Sequence, residues 1–261
     1  MKEKTLAIPL RTVDYSDTSQ VVSFLSRDHG LVEGIAKGAH RPKNPFQGPF
    51  DLAVLYEIVF IARRSAGLSI VTEAVLLDGF RGVRRTLARH VAASHVIEFA
   101  RGVSVSGEVD REFFDLAREA FAAIEHASEE KLRGYLLEFD VRALCSLGLF
   151  APAESCVVCQ RPWSGHDRPV FFSVRSAGLL CARCRATSAG AGGKAVRGDL
   201  VRRLNVLTRG PERDVEDAVR SRRPRQGPNA VERELGELVH GLRTNLLERE
   251  LVLLKSSSRW V

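Results

Sequence analysis

The chain has 261 residues, enough for one large domain or for two to three small ones, each with a core of its own. Hydrophobic residues make up 44% and charged residues 27%, close to globular averages, which sets disorder aside as the description of any long stretch. The 39 Lys and Arg against 32 Asp and Glu give a net charge of +7, which favours a polyanionic partner, and no apolar run is long enough to cross a bilayer.

Arginine supplies most of the positive charge, and its planar fork suits bidentate phosphate contacts, although such a composition equally follows from a GC-rich genome. Met1-Lys2-Glu3-Lys4 lacks the apolar core and small-residue cleavage site of a signal peptide, so a cytoplasmic protein without membrane attachment is expected.

From Thr5 to Leu77 the chain reads as short strands: Thr5 to Leu10, Ser19 to Leu25, Leu31 to Ala36, Ala53 to Ala62 and Ser69 to Leu76. Five strands separated by turns predict a small barrel. Asp28-His29-Gly30 reads as a hairpin turn, with Gly30 available for positive φ. The longer connection from Lys37 to Phe50 contains Gly38, Pro42, Pro45, Gly48 and Pro49 and is a candidate binding loop.

Beyond Gly82 the pattern turns helical, first from about Arg84 to Val103 and then from about Asp110 to His126. In the second segment Phe113, Leu116, Ala117, Ala120, Phe121 and Ile124 recur at three and four, marking one buried face. A third helix is predicted from about Glu129 to Leu147, with Ser128 as N-cap, acids in its first turn and Gly148 as the C′ residue. After a cysteine segment from Pro152 to Arg185, Ser188 to Gly193 reads as a flexible connection. Asp199 to Leu207 then makes a short helix, and Asn229 to about Asn245 a longer one opened by a capping box of Asn229 and Glu232.

Cys156-Val157-Val158-Cys159 and Cys181-Ala182-Arg183-Cys184 are two CxxC knuckles at the spacing of four-cysteine zinc ribbons. Each CxxC turn aims two thiolates at one centre, and four thiolates complete a tetrahedron with no open position for a catalytic water. The expected cofactor is therefore one structural Zn2+ ion. In a reducing compartment disulfides are disfavoured, and redox chemistry or unrelated buried thiols are the competing readings. Between the knuckles Val170 to Val174 reads as a strand, so a hairpin is expected to present the second pair. His166 is a superfluous ligand beside four thiols, and Cys145 reads as a small core residue.

The loop Gly34 to Lys43 follows a strand and carries three cations, Lys37, Arg41 and Lys43, with no acid between Glu33 and Asp51. Gly38 lets the backbone come close to a phosphate, and small barrels bind single strands along one charged groove. A merely solvated loop is the alternative. It applies equally to two further clusters, Arg81, Arg84, Arg85 and Arg89 at the barrel-to-helix junction and Arg220, Arg222, Arg223 and Arg225 near the last helix.

Over nearly its whole length the sequence resembles the bacterial recombination mediator family RecO. The Lys-Gly-Ala-x-Arg-x-Lys-like run at Lys37 to Lys43, the Gly30-Leu31 hairpin, the run of Phe139, Leu144, Gly148 and Pro152, and the tail from Lys255 to Arg259 carry the likeness. It departs at His40, where a cation is common, and in the segment from Thr187 to Gly227. The resemblance implies an α+β multidomain chain: an OB-fold barrel over 1–80 and a helical domain over 81–152 and 186–261. Some members of the family lack the zinc cysteines, so the inserted zinc module over 153–185 rests on the cysteine spacing and not on the resemblance. The resemblance further implies a DNA repair and homologous recombination mediator that anneals complementary strands. Its implied partners are single- and double-stranded DNA, single-strand binding protein, RecR and, indirectly, RecA. On this reading Arg11, Lys37, Arg41, Lys43, Arg84 and Arg85 contact DNA, while Cys156, Cys159, Cys181 and Cys184 hold the metal on the strength of their spacing.

Two other function classes bear on the same residues. A zinc-ribbon RNA-binding or transcription-associated protein would share the cysteines and the charge but would not anneal DNA. A metal-dependent hydrolase needs carboxylates or histidines around an open ion, and no such cluster, nucleophile elbow or phosphate-cradling Gly-Lys-Ser motif is visible, so no enzymatic activity is expected.

Overall fold

A computed structural model describes residues 1–63, 67–163, 169–187, 193–208 and 230–247. The chain divides into two compact units, Met1–Leu132 and Arg133–Val261. The sequence features at His166, Ser188 to Gly192, Arg220 to Arg225, Asn229 and Lys255 to Arg259 lie outside the described residues.

In the first unit β1 (Lys2–Asp14), β2 (Gln20–Ser26), β3 (Gly30–Ala36), β4 (Leu55–Ile61) and β5 (Ser69–Asp78) close into a barrel in the order β1-β2-β3-β5-β4. This is the α+β architecture with an OB-fold barrel that the sequence suggests. Every pairing is antiparallel except the seam between β3 and β5, a parallel ladder of three rungs, Gly34 with Ser69, Ile35 with Ile70 and Ala36 with Val71. Gly34 is required there, because a Cβ would stand 2.7 Å from Cγ2 of Val71. Ala7, Val22, Phe24, Val32, Ala36, Tyr56, Ile58, Phe60, Val71 and Ala74 fill the interior, each on the inward phase of its strand.

β1 is longer than its hydrophobic run predicts, because Lys2 to Ala7 pair with β4 while Ala7 to Asp14 pair with β2. Pro9 fits since the β4 ladder has ended at Ala7 and a bulge follows between Pro9 and Arg11. Ala53, expected in the fourth strand, instead has φ 50°, so the strand starts at Leu55.

A short 3-10 turn, Arg81–Arg84, leads to α1 (Leu87–Val103). The helix begins three residues later than the expected start at about Arg84, because the Thr86 hydroxyl caps it by accepting from the Arg89 amide at 3.3 Å. In α2 (Arg111–His126) the Asp110 carboxylate accepts from the Phe113 amide at 2.8 Å. Its buried stripe is Phe113, Phe114, Leu116, Ala117, Phe121 and Ile124, so Phe114 widens the face and Ala120 sits only at its margin. Gly30 has φ +67°, and a Cβ there would fall 2.2 Å from the Glu108 carbonyl oxygen. The hairpin tip thus lies flat against the α1–α2 connection, where the Leu31 amide donates to the Val105 carbonyl at 3.1 Å.

α3 (Glu129–Ser146) ends in a Schellman motif: the Leu149 amide donates to Leu144 O at 2.8 Å and the Gly148 amide to Cys145 O at 2.9 Å, with Gly148 at φ +68°. The second unit then builds a three-stranded antiparallel sheet in the order β7-β6-β8, from β6 (Val170–Ser173), β7 (Gly178–Cys181) and β8 (Lys194–Val196). β8 has no counterpart in the sequence reading, since three residues, two of them exposed, carry no periodic signal. α4 (Ala182–Thr187), α5 (Gly198–Thr208) and α6 (Ala230–Leu247) complete the described part.

Candidate metal centre and nucleic-acid interface

The first knuckle is shaped by backbone bonds. Cys156 N donates to Arg161 O at 3.0 Å, Gln160 N returns to Cys156 O at 2.8 Å, and Gln160 takes φ 58°. The Val157 amide donates to Leu179 O at 2.9 Å, which fixes the knuckle against β7. Gly178 permits this approach, since its Cβ would meet Val157 Cβ at 3.1 Å. The second pair sits where β7 passes into α4: Cys181 ends the strand and Cys184 lies in the first turn of the helix. The β6–β7 hairpin therefore does present the second pair.

The four sulfur atoms lie within 4.8 Å of one another, and Sγ of Cys159 and Cys181 are 3.9 Å apart. A tetrahedral ion with metal–sulfur bonds of about 2.3 Å requires edges of about 3.8 Å, so the cluster has the size of a four-thiolate cage. Backbone amides point at the sulfurs, Cys181 N to Cys156 Sγ at 3.5 Å and Cys184 N to Cys181 Sγ at 3.4 Å, as thiolate charge demands. Burial pushes the Cys156 thiol up, but amides of Cys159, Cys181 and Val158 and the Cys159 thiol outweigh it and bring it down to about 6. Burial and the neighbouring sulfurs of Cys181, Cys159 and Cys156 push Cys184 up to about 12. Cys156 is held toward its thiolate and Cys184 toward its thiol, a conflict that a divalent cation at the centre removes. These four cysteines can hold a metal ion.

Around them Phe171, Leu180, Val157 and Trp163 form a small apolar cluster, and the Arg185 guanidinium lies 4.2 Å from the Phe171 ring centroid. Cys156 and Cys184 are buried, Cys181 is half-buried and Cys159 is exposed.

In the barrel, the Lys37 to Phe50 loop is a fixed structure hung from buried Ala39, Phe46 and Phe50. Gln20 anchors it by exchanging two hydrogen bonds with the Phe50 backbone, at 2.9 and 3.3 Å. The Asn44 carboxamide accepts from the amides of Phe46 and Gly48 and donates to Arg41 O at 2.7 Å. Gly38, at φ +79°, is overlain by the Arg41 stem 3.2 Å from where its Cβ would be. Lys37, Arg41 and Lys43 are exposed and make no ion pair with any described residue. Their fields add over one loop.

The other sequence candidates are placed differently. Arg11 is exposed on the outer face of β1 opposite Ser23. Arg84 is occupied: it donates to Asp51 at 2.9 Å, to Gly79 O at 2.9 Å and to Leu52 O at 2.5 Å, pinning the turn that precedes β4. Arg85 is exposed at the end of the 3-10 turn. The structure thus groups Lys37, Arg41 and Lys43 and leaves Arg11, Arg84 and Arg85 on other elements. His40, unremarked except as a departure, bonds Asp14 at 2.9 Å through Nε2 and its amide donates to Thr18 O at 3.2 Å, tying the loop to the β1–β2 turn. Asn44 and Gln20 were also missed. An Asn before Pro is a legible turn signal, whereas a buried Gln becomes visible only with the fold.

The family description "Recombination protein O N terminal" matches residues 1–80, and "Recombination protein O C terminal" matches residues 84–251. The chain belongs to the RecO family. Among relatives, it is similar to the DNA repair protein RecO of Rhodopirellula baltica, 36% identical over 180 residues that span 69% of this chain and 66% of the relative. It is also similar to those of Moorella thermoacetica, 29% identical over 68% of this chain and 64% of the relative, and Bacillus subtilis, 26% identical over 70% and 69%. The matches to the first two thus span about two thirds of the relatives' length. The basic loop falls in the first matched segment and the four cysteines in the second. No described helix is long and apolar enough to cross a membrane.

Proposed function

We propose that the chain is a DNA-binding recombination mediator of DNA repair that anneals complementary single strands and helps load RecA onto strands coated by single-strand binding protein, in concert with RecR. Its relatives are named as DNA repair proteins, and the observation that carries the reading is the loop of three exposed cations, Lys37, Arg41 and Lys43, free of intramolecular ion pairs among the described residues. Such cations bind phosphates without regard to sequence and with affinity that falls steeply as salt rises, so an annealed product is released readily. Arg11 and Arg85 extend the contact, and Arg84 supports it by holding its loop. The action is stoichiometric and cytoplasmic, and no catalytic step is assigned.

The metal is zinc, held by Cys156, Cys159, Cys181 and Cys184. It supplies folding free energy to a module with a small apolar cluster of its own, and four thiolates leave no position for a reacting water. The experiment is annealing of complementary oligonucleotides with and without single-strand binding protein. Acceleration that persists on coated strands supports the mediator. A chain that leaves the rate unchanged and binds only RNA overturns it in favour of an RNA-binding role.

A further inference from the structure

The strand register assembles a row that the linear sequence hides. On the outer face of the barrel Val13 pairs Val21, Val21 pairs Ile35, and Ile35 pairs Ile70, so four β-branched residues lie side by side across β1, β2, β3 and β5. Their neighbours Val22, Ala36 and Val71 are in the barrel interior, which places this row outward. Val21, Ile35 and Ile70 are half-buried and Val13 is 43% exposed. Along the strands past the row, at one rim of the barrel, Tyr15 follows Val13 into the β1–β2 turn and is 69% exposed, and Lys37 follows Ile35 out of β3. That turn is bonded to the basic loop through His40, by the His40 N to Thr18 O and His40 Nε2 to Asp14 bonds.

We propose that this row is the floor on which unstacked bases of single-stranded DNA lie, and that Tyr15 stacks on one of them while Lys37, Arg41 and Lys43 hold the adjoining phosphates. The inference rests on the DNA-binding reading and deepens it by assigning the preference for single strands. Apolar floor and aromatic ring suit a base, and unpaired cations suit its phosphate; together they match the two halves of one nucleotide. On the far side of the strip from the basic loop, Glu33 lies in the row of Arg11 and Ser23, while Asp14, at the near rim, is engaged by His40. Bases in a duplex are stacked and paired, out of reach of Tyr15, whereas its phosphates still meet the cations.

The test measures fluorescence anisotropy of the full-length chain with labelled oligothymidylate and with a blunt duplex at one salt concentration. Tyr15→Ala is expected to lower single-strand affinity about tenfold, within the range for one stacked base, and to leave duplex affinity within about twofold. Tyr15→Phe retains the ring and is expected to bind like the parent. Tyr15 is exposed, so neither change threatens the fold. Unchanged single-strand affinity in Tyr15→Ala, or an equal loss for both ligands, overturns the inference while leaving DNA binding intact. Failure of the unaltered chain to bind either ligand overturns the DNA reading as well.

Discussion

Asp140 of α3 accepts a hydrogen bond from Arg243 of α6 at 3.0 Å, with the two side chains only 3% and 1% exposed. They are 103 residues apart in the chain, and the cysteine module lies between them. The chain thus leaves for the metal centre from one helix and comes back to a second helix that is joined to the first by a buried charge pair.

Removing Asp140 takes a buried partner from the Arg243 guanidinium, and a buried charge that loses a partner is costly. Asp140→Ala is expected to cost about 3–5 kcal/mol, and the joint change Asp140→Leu with Arg243→Met to recover most of it, since a buried pair is often replaceable by apolar packing. Urea unfolding of the two variants is the check; equal stability of Asp140→Ala and the parent rejects the assignment.

Cys156→Ser and Cys181→Ser should each abolish stoichiometric zinc, detected by elemental analysis, and lower the melting temperature while changing DNA affinity little. Lower pH should also release the metal, because protons compete for the same sulfurs and bound thiolates are stable only while deprotonated. A variant that melts like the parent with one zinc retained contradicts the four-thiolate centre.

Charge reversal in the loop should act on DNA and not on the fold. Lys37→Glu with Arg41→Glu is expected to weaken binding to single and double strands and to reduce the slope of log affinity against log salt by about 2, one per lost phosphate contact. Arg84→Ala should behave in the opposite way: its bonds to Asp51, Gly79 and Leu52 are internal, so it lowers the melting temperature and moves the salt slope little. A salt titration of both separates the two roles.

Gly30→Ala tests the docking of the β2–β3 hairpin. The left-handed backbone alone costs a non-glycine residue about 1–2 kcal/mol, and the added methyl group would collide with the Glu108 carbonyl. The first unit should therefore unfold at lower temperature. Near-parent stability would mean that the hairpin tip and the α1–α2 connection are not packed as described.

What the sequence revealed here was local. The strands showed in alternation, α2 in its three-and-four spacing, and the metal centre in four residues whose spacing is its own geometry. What stayed hidden depends on partners far along the chain. Nothing near Arg84 announces Asp51, nothing near Arg243 announces Asp140, and Val13, Val21, Ile35 and Ile70 become one row only when three strand registers are known. The start of α1 differs from the expected one for a local reason: the hydroxyl of Thr86 decides where the helix begins.

The three-rung ladder between β3 and β5 is the joint by which the barrel shuts, and it is the shortest in the barrel. Such a joint is the natural place for the wall to part in a local fluctuation. Ile35 and Ile70 face each other across it, so a strand of DNA lying on that row bridges the gap like a splint over a fracture. Amides at 34–36 and 69–71 should then exchange their hydrogens more slowly when DNA is bound, which makes the weakest line of the barrel the one that reports its ligand.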